Sequence, residues 1–294
     1  GFGFAAYNEN NLNGKINIYK ISEDNNWNLS QTIDSPSGFN KSFGYEMSSY
    51  GNLLLISEKN EVDKGGLCYL YQLQNNQFIF TAILKNHENL PDQSFGNKTD
   101  IYNDLIVVSA SGDGNKKSIS NNGQVQVFKY ESGEAKFVLE INQPEGDNAE
   151  GFGSDIAITE KYVFVSSPQI KTANDLQGVI YVYKVADAGN TFSLSEKLHN
   201  LQGIKDFGKN IACSKQYLCI SGENQMSMYK NIQDRWLYSY KLNSENLSTI
   251  NDLSIHQDKV VYSCYSPISN VVIHDLSTGF SEQIPIKNST VSLT

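Results

Sequence analysis

At 294 residues, with 39% hydrophobic, the chain can bury one large all-β core or two ordinary ones, and its apolar runs stop far short of a membrane span. A formal net charge of −9, with 23 Lys and Arg and no basic cluster, argues against nucleic acid and anionic membranes as partners, since neutralising phosphates takes grouped cations. Four cysteines are too few for a disulfide scaffold. The chain opens at Gly1 without an initiator Met or a signal peptide, as expected of a processed or partial chain, so no targeting is read from it.

Along the chain, Gly3-Phe4-Ala5-Ala6 aligns with the end of an apolar strand. An alternating run comes next, Ile16-Asn17-Ile18-Tyr19-Lys20, and Trp27 opens another strand. Then Phe-Gly recurs at residues 43, 95, 152 and 207, spaced 52, 57 and 55 residues apart. A period of this size marks a repeat architecture, whose units must stack to bury their faces.

Each unit reads as four strands. The first comes directly after Phe-Gly, as in Ser154-Asp155-Ile156-Ala157-Ile158. The second is a continuous apolar run, such as Leu53-Leu54-Leu55-Ile56 or Tyr162-Val163-Phe164-Val165. Runs without alternation are covered on both faces. The third alternates and ends in aromatic-Lys, as in Val125-Gln126-Val127-Phe128-Lys129 and Met226-Ser227-Met228-Tyr229-Lys230, which predicts a half-exposed strand nearer the rim. The fourth is often opened by an aromatic: Trp27, Phe78, Phe137, Phe192 and Trp236.

Such blades describe an all-β fold, a β-propeller of four-stranded antiparallel blades. Six are expected, at approximately residues 1–33 (completed by 287–294), 43–84, 95–141, 152–198, 207–242 and 250–286, and seven if residues precede Gly1. The fifth Phe-Gly is lost near Ile250-Asn251, yet the later strands keep register. The terminal segment 289–294 alternates and could close the first blade by pairing the chain ends, hiding open edges. The Phe is expected to fill the space between blades and the Gly to let inner backbones approach. A phosphate-cradle reading of these glycines fails, because no helix comes after them.

The order Trp, Phe-Gly, apolar strand, turn, apolar strand ending in small residues (Val108-Ser109-Ala110-Ser111, Val165-Ser166-Ser167-Pro168), Gly, then Tyr-Val-Tyr resembles the FG-GAP repeat, the blade unit of integrin α-chain propellers and many surface proteins. The resemblance spans nearly the whole chain. It implies a non-catalytic recognition or adhesion role, an extracellular or cell-surface location and a protein or glycan partner. The calcium loops of that family are missing: the turns 49–52, 102–104, 159–162, 214–217 and 256–259 lack the alternating carboxylates calcium needs. No metal and no cofactor is therefore expected, and Gly112-Asp113-Gly114-Asn115 offers a single carboxylate.

His87, His199, His256 and His274 are scattered without ligand-spaced partners, and no nucleophile elbow or zinc-binding helix occurs. Glu46, Asp155 and Asn210 fall at one equivalent place after Phe-Gly, expected near an axial mouth. Glycan-active chemistry there is an alternative, although a solvated ring of polar groups is the plainer reading. The chain is thus expected not to be an enzyme. The long polar loops at 7–14, 57–66, 109–123 and 166–178 share one side of their blades and exceed what a connection needs. Asn10, Asn11, Glu58, Asn60, Asp113, Asn115, Lys116, Lys171 and Asn174 are the candidate partner contacts. A structural subunit of a larger assembly, intracellular, is the other reading.

Sequons begin at Asn28, Asn40, Asn97, Asn246 and Asn288. About five are expected by chance in so Asn-rich a chain. Asn28, Asn40, Asn246 and Asn288 are possible glycosylation sites, whereas Asn97 is expected to be inaccessible in an inner strand. Cys213 should face Leu218 across a turn, with Cys219 on the opposite face, so a bond between them would need a bulge. All four cysteines are read as small buried apolar residues.

Overall fold

The structure is a computed structural model, and it describes residues 2–9, 13–37, 42–59, 65–87, 93–112, 123–144, 149–170, 178–244, 249–265 and 269–285. The chain divides into two compact units, residues 1–113 with 126–140, and residues 114–125 with 141–294.

The first unit carries three sheets. β1 (Phe2–Glu9), β2 (Asn13–Ile21) and β3 (Trp27–Asp34) form the first. β4 (Phe43–Tyr50), β5 (Leu53–Glu58), β6 (Leu67–Gln74) and β7 (Gln77–Lys85) form the second. β8 (Gln93–Tyr102), β9 (Leu105–Gly112), β10 (Gln124–Glu131) and β11 (Glu134–Asn142) form the third.

In the second unit a two-residue ribbon pairs β12 (Ala149–Glu150) with β15 (Gln169–Ile170). The fourth sheet comprises β13 (Ile156–Ile158), β14 (Tyr162–Ser167), β16 (Val179–Ala186) and β17 (Thr191–His199). The fifth comprises β18 (Asn210–Cys213), β19 (Tyr217–Ser221), β20 (Gln225–Ile232) and β21 (Arg235–Asn243). The sixth comprises β22 (Thr249–His256), β23 (Lys259–Tyr265), β24 (Ser269–Asp275) and β25 (Ser281–Pro285). Within every blade the strands lie in chain order, and the fold is an all-β, six-bladed propeller. The tail at 287–294, expected to complete the first blade, lies outside the described residues.

Within each unit the core sits between consecutive sheets. Phe43 packs with Ile16, Ile18, Leu54 and Tyr69 across the first and second, and Phe95 with Cys68, Leu70 and Phe128 across the second and third. Phe207 joins Phe164, Ile180 and Trp236 across the fourth and fifth. Burying each Phe stabilises the fold by about 1.5–3 kcal/mol. As their unbroken apolar runs predict, β5 and β14 are buried along their whole length.

In the first blade the third strand alternates as expected, with Ile16 and Ile18 buried and Asn17 and Tyr19 part-exposed, but the third strands of the third and fifth blades depart from expectation. Val125, Gln126, Val127 and Phe128 are all buried, and so is Ser227, so these strands are covered on both faces rather than half-exposed. Gln126 can be buried because it is partnered. It donates through Nε2 to Asn86 Oδ1 (2.9 Å) and accepts at Oε1 from the backbone N–H of His87 (3.0 Å).

The exposed strands are the fourth ones, and those of the first, second, fourth and fifth blades share a bulge. Register shifts leave Ser30, Thr81, Ser195 and Ser239 without a cross-strand partner. A bulge bends an edge strand and re-aims the neighbouring side chain. In the first blade the next residue, Gln31, reaches the second and grips the backbone of Phe78, accepting from its N–H (2.8 Å) and donating to its carbonyl (2.9 Å). In the fourth blade Glu196 likewise accepts from the N–H of Trp236 in the fifth (3.1 Å).

Candidate functional site

The repeated Phe-Gly sets both the backbone conformation and the packing at the start of the second to fifth blades. Gly44, Gly96, Gly153 and Gly208 all adopt positive φ, between 81° and 91°, a region that side chains rarely tolerate. Gly96 and Gly208 are also crowded. A Cβ on Gly96 would stand 3.0 Å from Cys68 Sγ and 3.1 Å from Ser57 Cβ of the preceding blade, and one on Gly208 would stand 3.1 Å from Ile180 Cδ1. A second glycine, at or near the start of the third strand, completes the joint. Gly14, Gly66 and Gly178 lie against the carbonyls of Phe43, Phe95 and Phe207 in the following blade, leaving no room for a Cβ.

After Phe-Gly one backbone N–H turns away from the ladder, and a buried serine accepts from it. Glu46 N–H donates to Ser57 Oγ (2.9 Å), Lys98 to Ser109 (3.0 Å), Asp155 to Ser166 (2.8 Å) and Asn210 to Ser221 (3.2 Å). All four serines are fully buried. The small residues ending each second strand therefore have a hydrogen-bonding role that their composition alone did not reveal. Their fixed spacing of eleven residues from the polar position was the signal available.

Glu46, Asp155 and Asn210 do occupy one equivalent place, and Lys98 is its fourth member, overlooked because its charge is opposite. The charged members hold blades together. Glu46 pairs with Lys98 across the second and third blades (3.3 Å). Asp155 is buried, and its carboxylate accepts from Ile156 N–H (3.0 Å) and from Ile211 N–H in the next blade (2.6 Å). A carboxylate so engaged cannot double as the acid or base of glycan chemistry. Among the described residues no three His, Cys, Asp or Glu side chains gather to hold a metal, and no catalytic pattern occurs.

Of the candidate partner contacts, Asn10, Asn11, Asn60, Asp113, Asn115, Lys116, Lys171 and Asn174 lie outside the described residues. Glu58, expected on a loop, is instead the last residue of β5 and only 3% exposed. Its carboxylate accepts from Ser35 Oγ (2.7 Å), Ser37 Oγ (3.2 Å) and Tyr69 OH (3.4 Å), tying the segment between the first two blades to the second. Burial and Glu58 together push the Tyr69 phenol up.

Asn28 is exposed on β3, while Asn40, Asn246 and Asn288 lie outside the described residues. Asn97 is partly exposed rather than inaccessible, and its Oδ1 accepts from Tyr45 OH (3.3 Å). None of the four cysteines forms a disulfide. Cys213 faces Leu218 as predicted, but it is half-buried and points Sγ at the carbonyl of Ile158 (3.5 Å). Burial pushes the Cys219 thiol up to about 12, which leaves it inert at neutral pH.

No family model matches the sequence, and no curated protein matches it. Solved structures do match in shape. A protein from Lactobacillus plantarum superposes with a TM-score of 0.63 at 11% identity, over 96% of this chain and 80% of that one. The β-propeller domain of Cps50 (Swd1) from Myceliophteria thermophila gives 0.61 at 11% identity, over 96% and 82%. Sqt1 of Saccharomyces cerevisiae gives 0.52 at 10% identity, over 96% and 81%. At such identities the likeness establishes the propeller fold. The extracellular or cell-surface location expected from the integrin-type resemblance is corrected here: no family model supports that resemblance, and the comparison with Sqt1 and Cps50 (Swd1) counts against it.

Proposed function

We propose that this chain is a non-catalytic, protein-binding propeller that serves as a structural scaffold subunit of a larger assembly. The observation that carries this reading is the commitment of its inner polar groups to neighbouring blades. Glu46 is held by Lys98, Asp155 by the amides of Ile156 and Ile211, and Ser48 by Thr99 (3.0 Å). A frame locked in this way leaves recognition to its loops and rims. Asn10, Asn11, Asn60, Asp113, Asn115, Lys116, Lys171 and Asn174 are proposed as loop contacts, with Glu58 supporting the segment at Ser35 and Ser37. The blades are further proposed to be of the FG-GAP type. The left-handed Gly of each Phe-Gly and the Gly–Phe approach between blades support that kinship.

Native size and intact mass together test the reading. A scaffold subunit migrates in a complex larger than 32.8 kDa and carries no sugar on Asn28, Asn40, Asn246 or Asn288. A bare monomer in its native extract would defeat the proposal. A glycosylated monomer that binds glycans in an array would move it to glycan recognition.

A further inference from the structure

We propose that the outer edge of β7 receives an extended segment of a partner protein as a fifth strand, a segment apolar in the middle and acidic at its ends. The inference deepens the scaffold reading and rests on it.

β7 is the outermost strand of its sheet. Exposed edges are usually guarded by charge, proline or shortness, because unpaired N–H and C=O groups invite another strand. Most other fourth strands obey that rule: β11 carries Glu134, Lys136 and Glu140, β17 carries Glu196 and Lys197, β21 carries Arg235 and Lys241, and β25 is five residues long with Glu282 and Pro285. β3 is as lightly guarded as β7, but its single charge is the acidic Asp34. β7 is nine residues long and has Lys85 as its single charge. Ile79, Phe80 and Ile83 on it are 42%, 48% and 44% exposed. Gln31 occupies the backbone of Phe78, so the accessible stretch is 80–85. Such an edge selects an extended peptide through its backbone, and neighbouring side chains then choose the sequence.

Charge defines that choice. No Asp or Glu occurs from residue 65 to residue 87, in a chain whose net charge is −9. Lys85 stands at one end of β7. At the other end Lys20 reaches over from the first blade and donates to Asn76 Oδ1 (2.9 Å). An apolar edge between two lysines complements a segment with carboxylates at both ends. A second copy of this chain fits poorly, since antiparallel β7–β7 pairing would bring Lys85 of each copy towards Lys20 of the other.

The test uses the whole chain and a synthetic peptide of about ten residues, alternating Val and Thr, with Glu pairs at both ends. Expected are binding about tenfold tighter than the same peptide with Lys ends, weakening with salt, and slowed amide exchange confined to 80–85. A central proline in the peptide should abolish both effects. Phe80→Lys with Ile83→Lys, at exposed positions, should remove binding at an unchanged melting temperature, and Lys85→Glu should narrow the preference for acidic ends. Equal binding of both peptides, protection elsewhere, or self-association that protects β7 would overturn the inference. A native complex that survives Phe80→Lys with Ile83→Lys would also end it, while leaving the scaffold reading intact. Absence of any native complex would instead end the scaffold reading.

Discussion

A methyl group added at Gly178 would run into the carbonyl of Phe207, whereas one added at Gly203, where φ is +65°, would meet nothing within 4 Å. The two positions separate the reasons for which this chain uses glycine. Gly178→Ala must push two backbones apart, so a loss of about 3 kcal/mol is expected. Gly203→Ala meets only the left-handed backbone and should cost about 1 kcal/mol. Urea unfolding of both variants checks the order, and equal losses would refute the close-approach account. His274 supplies a pH dependence. It is buried on β24, its Nδ1 lies 2.8 Å from Ser281 Oγ, and burial lowers its pKa, with Asp275 opposing in part. An unfolded His titrates near pH 6.5. Because the folded value is lower, the ring's contribution is complete above that pH and is lost as the pH falls through it towards the folded value. The urea midpoint should therefore drop between about pH 7.5 and pH 5, and less so in His274→Gln.

At the scale of the element, the fourth-strand bulge is what joins one blade to the next in the two places where its reach is seen. Gln31→Ala removes both bonds to the Phe78 backbone and should cost about 1–3 kcal/mol, since a part-buried amide loses its partner. Gln31→Glu keeps the acceptor but not the donor and should recover part of that, as Glu196 does at Trp236. Chemical denaturation of the two variants gives the comparison. The aromatic beside each grip is held by the preceding blade. Phe2 and Phe4 meet Phe78 edge-on at 5.5 and 5.6 Å, and Phe164 meets Trp236 at 5.1 Å. The sequence marked these aromatics as strand openers. It could not mark the bulge, because Ser30, Thr81, Ser195 and Ser239 look like ordinary outward residues in an alternating run.

For the whole molecule, the loop between β9 and β10 offers a test of where partners bind. Those strands already pair in one sheet, and loop length enters closure entropy only logarithmically. Replacing residues 116–122 by a short Gly-Ser turn should leave the melting temperature nearly unchanged while weakening assembly with the native partner. An unfolded variant would show the loop to be structural. Unchanged assembly would move the partner contacts elsewhere.

The sequence by itself determined whatever repeats: the Phe-Gly period, the apolar second strands, and so the propeller with its blade order. Periodicity is a local property, and stacking is how units too small to bury their own faces become stable. The Cys213–Leu218 pairing was legible because a hairpin fixes its own register. Tertiary structure decided which faces are covered. Gln126 and Ser227 read as exposed alternations but are buried, because both faces of the third strand are covered. Glu58 read as a loop residue, but Ser35, Ser37 and Tyr69 converge on it from segments distant in the chain. Asp155 reads as a candidate acid, yet the amide of Ile211, 56 residues away, occupies its carboxylate. A side chain's partners across a blade boundary depend on how the sheets stack, and no local pattern encodes that.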